Sequence, residues 1–163
     1  MKRLVLATMS VSALFAAVSY AAPQSVQVSG NVDPVCAVTG LHDTTNLHVG
    51  QLNTGSATTG TIQDITVTCN YASGATVTLT SSNQGLKSTD PTSTILLDYT
   101  ASLAMGGSPV SLDTSVGNSA SANYAGSASL AAGVTSDMAI NVPTGTVFAG
   151  DYTDTLTITV AQQ

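Results

Sequence analysis

Apolar and polar residues alternate along most of this chain, a period of two that predicts strands rather than helices. Residues 25–32 (SVQVSGNV) place Val26, Val28, Gly30 and Val32 on one face. The stretch 61–69 (TIQDITVTC) places Ile65, Val67 and Cys69 together, and 75–81 (ATVTLTS) repeats the pattern with Val77 and Leu79. The five residues from Asn70 to Gly74 read as the turn of a hairpin between these two strands. Further along, 93–103 aligns Ile95, Leu97, Tyr99, Ala101 and Leu103, and 138–142 aligns Met138, Ile140 and Val142. The last element, 150–160, sets Tyr152, Leu156, Ile158 and Val160 against threonines. Two short apolar pieces, Val38–Leu41 and Leu47–Leu52, read as a broken first strand, and residues 82–91 as a loop. Between Met105 and Gly133 the Gly, Ala and Ser content dilutes the signal, leaving PVSLDT (109–114) and GSASL (126–130) as candidate edge strands. Turns recur about every ten residues, a spacing that suits an all-β sandwich.

The start of the chain obeys a different rule. Met1, Lys2 and Arg3 precede a mostly apolar run from Leu4 to Val18, and small residues occupy positions 19 and 21. This is the pattern of an export signal, residues 1–21, cleaved after Ala21. The run falls short of the ~20 apolar residues that cross a bilayer, so the expectation is export without a membrane anchor. The rest of the chain is long enough for one domain. It holds a single cation, Lys87, against nine aspartates, with no arginine and no glutamate. Nothing there neutralises phosphates, which argues against nucleic acid and against anionic membrane surfaces.

Cys36 and Cys69 are the two cysteines, and in an exported chain they suit one disulfide. Closing a loop of about 33 residues stabilises a fold by roughly 3–4 kcal/mol in the chain-entropy picture. Free or metal-binding thiols are the rival reading, without neighbouring ligands to support it. Candidate catalytic groups are few. Asp151 and Asp154 form the nearest acid pair, but three residues apart on a strand they face opposite ways. His42, Asp43 and His48 fall short of a zinc ligand set, and GNSAS (117–121) misses the closing glycine of a nucleophile elbow. The expectation is no enzyme, no cofactor and no metal.

With these residues in view, the chain resembles a subunit of the bacterial chaperone-usher pili. The resemblance rests on the leader, the strand SVQVSGNV, a cysteine shortly after it, a second cysteine closing ITVTC, and the ending GDYTDTLTITV. The ending and TGTIQDITVTC are most similar to the archaic branch with a spore coat protein U domain, while VSGNVDPV is also similar to colonisation-factor pilins. The family's fold implies an incomplete immunoglobulin-like sandwich over residues 35–163 that lacks its last strand, preceded by a donor strand over 22–34. Val26, Val28 and Val32 would then fill pockets of a neighbouring subunit, with Gly30 matching a shallow one. Leu156, Ile158 and Val160 would line the acceptor groove, and Cys36–Cys69 would tie the first strand to the second. The implied partners are identical or related pilin subunits, a periplasmic chaperone and an outer-membrane usher. The implied product is a homopolymer passing through the periplasm to the cell surface as a fimbrium, where it supports adhesion and biofilm formation. One departure is the ending Val160-Ala161-Gln162-Gln163, where many pilins carry an aromatic residue for the chaperone. The alternative is a self-contained secreted immunoglobulin-like binding module, in which 25–32 pairs within its own domain as an ordinary first strand.

Overall fold

The computed structural model describes residues 23–41, 47–52 and 55–163. The expected leader, 1–21, lies outside these, as do His42 and Asp43. Two units divide the chain, one ending at Val32 and one spanning Asp33–Gln163. Of the first, residues 23–32 are exposed throughout and adopt neither helix nor strand.

The second unit is an antiparallel β-sandwich with one short helix. Its strands are β1 (Cys36–Thr39), β2 (Thr58–Cys69), β3 (Ala75–Ser81), β4 (Leu86–Ser88), β5 (Leu96–Leu97), β6 (Thr100–Leu103), β7 (Val110–Asp113), β8 (Ser119–Tyr124), β9 (Val134–Val142), β10 (Tyr152–Thr153) and β11 (Leu156–Gln162); the helix α1 is Ala128–Ala132. One sheet has the order β1-β2-β9-β6-β7, a second β11-β3-β8, and a small third β10-β4-β5. Ile65, Val67 and Cys69 of β2 and Ala75, Val77 and Leu79 of β3 are fully buried, joined by Leu103, Val110, Leu112, Met138 and Val142. Apart from residues 25–32, most of the period-2 faces of the sequence therefore meet in a single core. Among the described residues no helix is long and apolar enough to cross a membrane.

Several local expectations change. β2 and β3 do not form a hairpin: β2 pairs with β1 and β9, and β3 with β8 and β11. The segment Asn70–Gly74 instead carries the chain across from one sheet to the other, because both strands bury one face and each needs the opposite sheet to cover it. Gly74 makes this possible, with φ +100° and a Cβ position only 2.0 Å from the carbonyl oxygen of Tyr124. GSASL is helical rather than extended. Ser127 caps the turn by accepting from the Leu130 N–H at 3.1 Å, Leu130 is buried, and alanine favours the helix. The strand in that region is β8, with only Ala120, Ala122 and Tyr124 on its half-buried face. Leu47–Leu52 is not a strand, and residues 82–91 contain the short strand β4 rather than loop alone.

β1 stops at Thr39 for a steric reason. At Asp64 (φ 60°) β2 bulges, and its register with β9 shifts between Ile62 and Ile65. Gly40 (φ +90°) fits against that bulge, where a Cβ would sit 2.1 Å from the Asp64 carbonyl oxygen. The bulge also changes parity along β2, so Gly60 and Ile62 face inward before it and Ile65, Val67 and Cys69 after it, as an extra residue in one strand requires.

Candidate functional site: an open seam beside the last strand

The sandwich has two seams, and they differ. On one side β7 and β8 are the sheet edges, Val110 and Leu112 of β7 are each only 1 % exposed, and the Tyr124 hydroxyl donates across to the carbonyl oxygen of Ser108 at 3.0 Å. That seam is shut. On the other side β1 pairs only with β2, and β11 only with β3. The two lie side by side without a ladder between them.

Register explains where this seam opens. Cys36 opposes Cys69, and Gln162 opposes Ala75, so β1 begins at the end of the sandwich where β11 finishes. The disulfide Cys36–Cys69 (Cα–Cα 4.1 Å) fixes that end. Asn70 adds three hydrogen bonds: its side chain accepts from the Val35 N–H (2.8 Å) and donates to the Asp33 carbonyl (2.8 Å), and its N–H donates to the Val35 carbonyl (3.0 Å). β1 is only four residues long and β11 seven. Past Thr39 no strand among the described residues pairs with the sheet edge beside Leu156, and a cleft of about 1200 Å3 opens there.

The cleft wall is mixed. Ile62, Met138, Ile140 and Val142 line it from the five-stranded sheet and Leu86 and Leu156 from the other two sheets, while Thr89, Thr153, Asp154 and Thr155 add polar surface and Tyr99 also borders it. Leu47, Val49 and Leu52 form a rim, all half-buried; the Leu47 side chain lies over Gly60, where a Cβ would meet it at 2.8 Å. Of the residues expected to line a groove, Leu156 borders the cleft, while Ile158 and Val160 continue the same half-buried face along the free edge of β11. Of the expected donor residues, Val26, Val28 and Val32 are 87, 90 and 81 % exposed, and Gly30 has nothing within 4 Å of a Cβ position.

Both aspartates of the nearest acid pair border the cleft. Asp154 Oδ2 accepts from the Ser81 hydroxyl and from the Tyr99 hydroxyl at 2.7 Å, and Oδ1 from the backbone N–H groups of Asn83 (2.9 Å) and Thr155 (2.8 Å). These contacts hold the break between β10 and β11. Burial, then the bond to Asp154, pushes the Tyr99 hydroxyl well above the usual phenol range. Asp151 is exposed, and its carbonyl oxygen accepts from Thr89 N–H and Oγ1. His48 is an exposed member of the cleft rim. Among the described residues no group of three or more His, Cys, Asp or Glu side chains is placed to hold a metal ion.

Sequence reasoning missed most of the cleft wall. Ile62 is on the unexpected parity because of the bulge, and the contributions of Leu86 and the 47–52 rim depend on tertiary placement. Phe148 carried a signal, as one of only two phenylalanines and the only one outside residues 1–21. No family model, curated protein or solved structure matches the chain.

Proposed function

We propose that the protein is a structural, non-catalytic subunit of a surface fimbrium, joined to its neighbours by strand donation. The observation that carries this reading is the edge of β11, unpaired among the described residues and flanked by a cleft with aliphatic wall residues, in a chain that also carries an exposed, alternating Val26-Val28-Gly30-Val32 segment. A sheet edge left with unpaired N–H and C=O groups is a template for another strand, and strand addition supplies both ladder hydrogen bonds and side chains for alternate pockets. The lengths agree. Val26–Val32 spans seven residues, as does Leu156–Gln162, about 23 Å at about 3.3 Å per residue.

The occupant is residues 22–34 of a second copy or a related subunit. Fully burying three valines contributes roughly 1.5–3 kcal/mol each, offset by the cost of association and of ordering the segment; backbone pairing supplies the remainder. In the exporting cell a chaperone strand would cover the same edge until an usher exchanges it, giving an immunoglobulin-like domain completed from outside and a homopolymer at the cell surface.

The test is material sheared from cells expressing the chain with its neighbouring genes, run on SDS gels unheated and boiled. The expected result is a heat-sensitive ladder that disappears when residues 22–34 are deleted, leaving monomer. A single monomer band under both conditions, or an unchanged ladder from the deletion, would overturn the proposal in favour of a self-contained binding domain.

A further inference from the structure

The loop between β9 and β10 presents an arrangement that neither the fold nor the core requires. Phe148 borders the cleft yet is 66 % exposed, an unusual position for the one phenylalanine of the folded unit. Its backbone, by contrast, is fastened at both polar groups. The Tyr152 hydroxyl accepts from the Phe148 N–H at 3.1 Å and donates to the Phe148 carbonyl at 3.2 Å. Gly145, earlier in the loop, packs close on the Leu97 side chain, where a Cβ would lie 2.8 Å from a methyl carbon. The loop is therefore held at two points with its ring left over.

We propose that Phe148 is the latch of the cleft: its ring folds down over a strand lodged there and slows that strand's escape. This rests on the reading of the cleft as the site of residues 22–34 from a second copy. An aromatic side chain carries a large apolar area for two rotatable bonds, and here Tyr152 has already fixed the backbone, so closing orders only the ring. In the empty cleft the ring has no full set of neighbours. Once a valine-bearing strand fills the space between Leu156 and Ile140, the ring gains an apolar surface to cover. A contact made only with the occupant acts on release more than on capture.

The compact unit Asp33–Gln163, which keeps the Asn70–Asp33 hydrogen bond, serves as acceptor, and a fluorescent peptide of residues 22–34 as donor. Both the association and the release rates of the peptide are measured. For Phe148→Ala the expected result is release at least about tenfold faster, the equivalent of losing much of one buried aromatic contact, with the association rate within about twofold. Phe148→Leu, which keeps an apolar reach, is expected to fall between. Tyr152→Phe, which frees the loop but keeps both rings, is expected to speed release by a smaller factor. Melting temperature of each empty acceptor is the folding control, and an exposed ring predicts no change for Phe148→Ala. Release at the unmodified rate from a folded Phe148→Ala acceptor overturns the latch while leaving strand donation standing. A peptide that fails to bind the unmodified acceptor overturns both.

Discussion

Asp154 shows how much a single side chain organises here. Its two carboxylate oxygens gather Ser81, Asn83, Tyr99 and Thr155, joining β3, the approach to β6 and the start of β11 at the mouth of the cleft. Hydrogen bonds to a charged acceptor contribute roughly 1.5–3 kcal/mol each. Tyr99→Phe should therefore lower unfolding free energy by about 2 kcal/mol near neutral pH, read as a shifted urea midpoint with an unchanged slope. The pH dependence has a definite sign. Tyr99 holds its proton more tightly folded than unfolded, so its contribution is complete below the free phenol value of about 10 and is lost as pH rises beyond it. The unmodified protein should weaken above that pH, and Tyr99→Phe should weaken less steeply; parallel alkaline curves would remove Tyr99 from the account. The sequence marks Asp154 only as one member of an acid pair whose side chains face opposite ways. Its partners Tyr99 and Ser81 are 55 and 73 residues away, and no local pattern announces such a meeting.

Among the elements, legibility tracks side-chain size. β2 beyond its bulge, β3, β9 and β11 carry Val, Ile, Leu or Met at most alternate positions, so a period of two is visible and the inward face is the expected one. β8 presents only Ala120 and Ala122 before Tyr124, too little contrast with serine to stand out, and the alanines that hide a strand there favour a helix at 128–132. The β2–β3 connection escapes a sequence reading because alternation reports which face is buried but not which strand lies alongside. Gly74 tests that connection. With φ +100° and the Tyr124 carbonyl at 2.0 Å, Gly74→Ala should cost about 2 kcal/mol or more from backbone strain alone, seen as a drop in melting temperature. Gly30 should behave in the opposite way. Nothing surrounds it in the free chain, so Gly30→Leu should leave the melting temperature of the monomer unchanged and act only on assembly. If its recipient pocket is shallow, ladder formation slows; a normal rate would place Gly30 over open space. Cys36 and Cys69 tie the four-residue β1 to β2 at directly opposed positions, and replacing both by serine should destabilise the fold by roughly 3–4 kcal/mol.

At the scale of the molecule, the sandwich is closed along β7 and β8, while among the described residues no ladder joins its two sheets along β1 and β11. Half-buried Leu156, Ile158 and Val160, together with Ile62 and Ile140, form apolar surface that folding has gathered but not covered. Any strand that covers it binds the folded state and not the unfolded one, and so must raise the melting temperature by mass action. The geometry makes the test simple. β11 runs toward Gln162, and the Gln163 N–H donates to the Gly74 carbonyl, leaving the chain at the same end as β1 begins. A second copy of residues 23–34, joined after Gln163 by a flexible linker of about four residues, can turn back and run antiparallel along the free edge of β11, as short hairpin connections allow. In a chain also lacking its own residues 22–34, this copy should raise the melting temperature by about 10 °C or more, since each kcal/mol shifts a domain of this size by a few degrees. The same copy with Val28 and Val32 changed to Asp should give no rise, because antiparallel pairing sets these positions against Val160 and Leu156 and would carry charges onto that apolar face. Equal melting temperatures for the valine and aspartate versions would mean that the open seam is not where residues 23–34 bind.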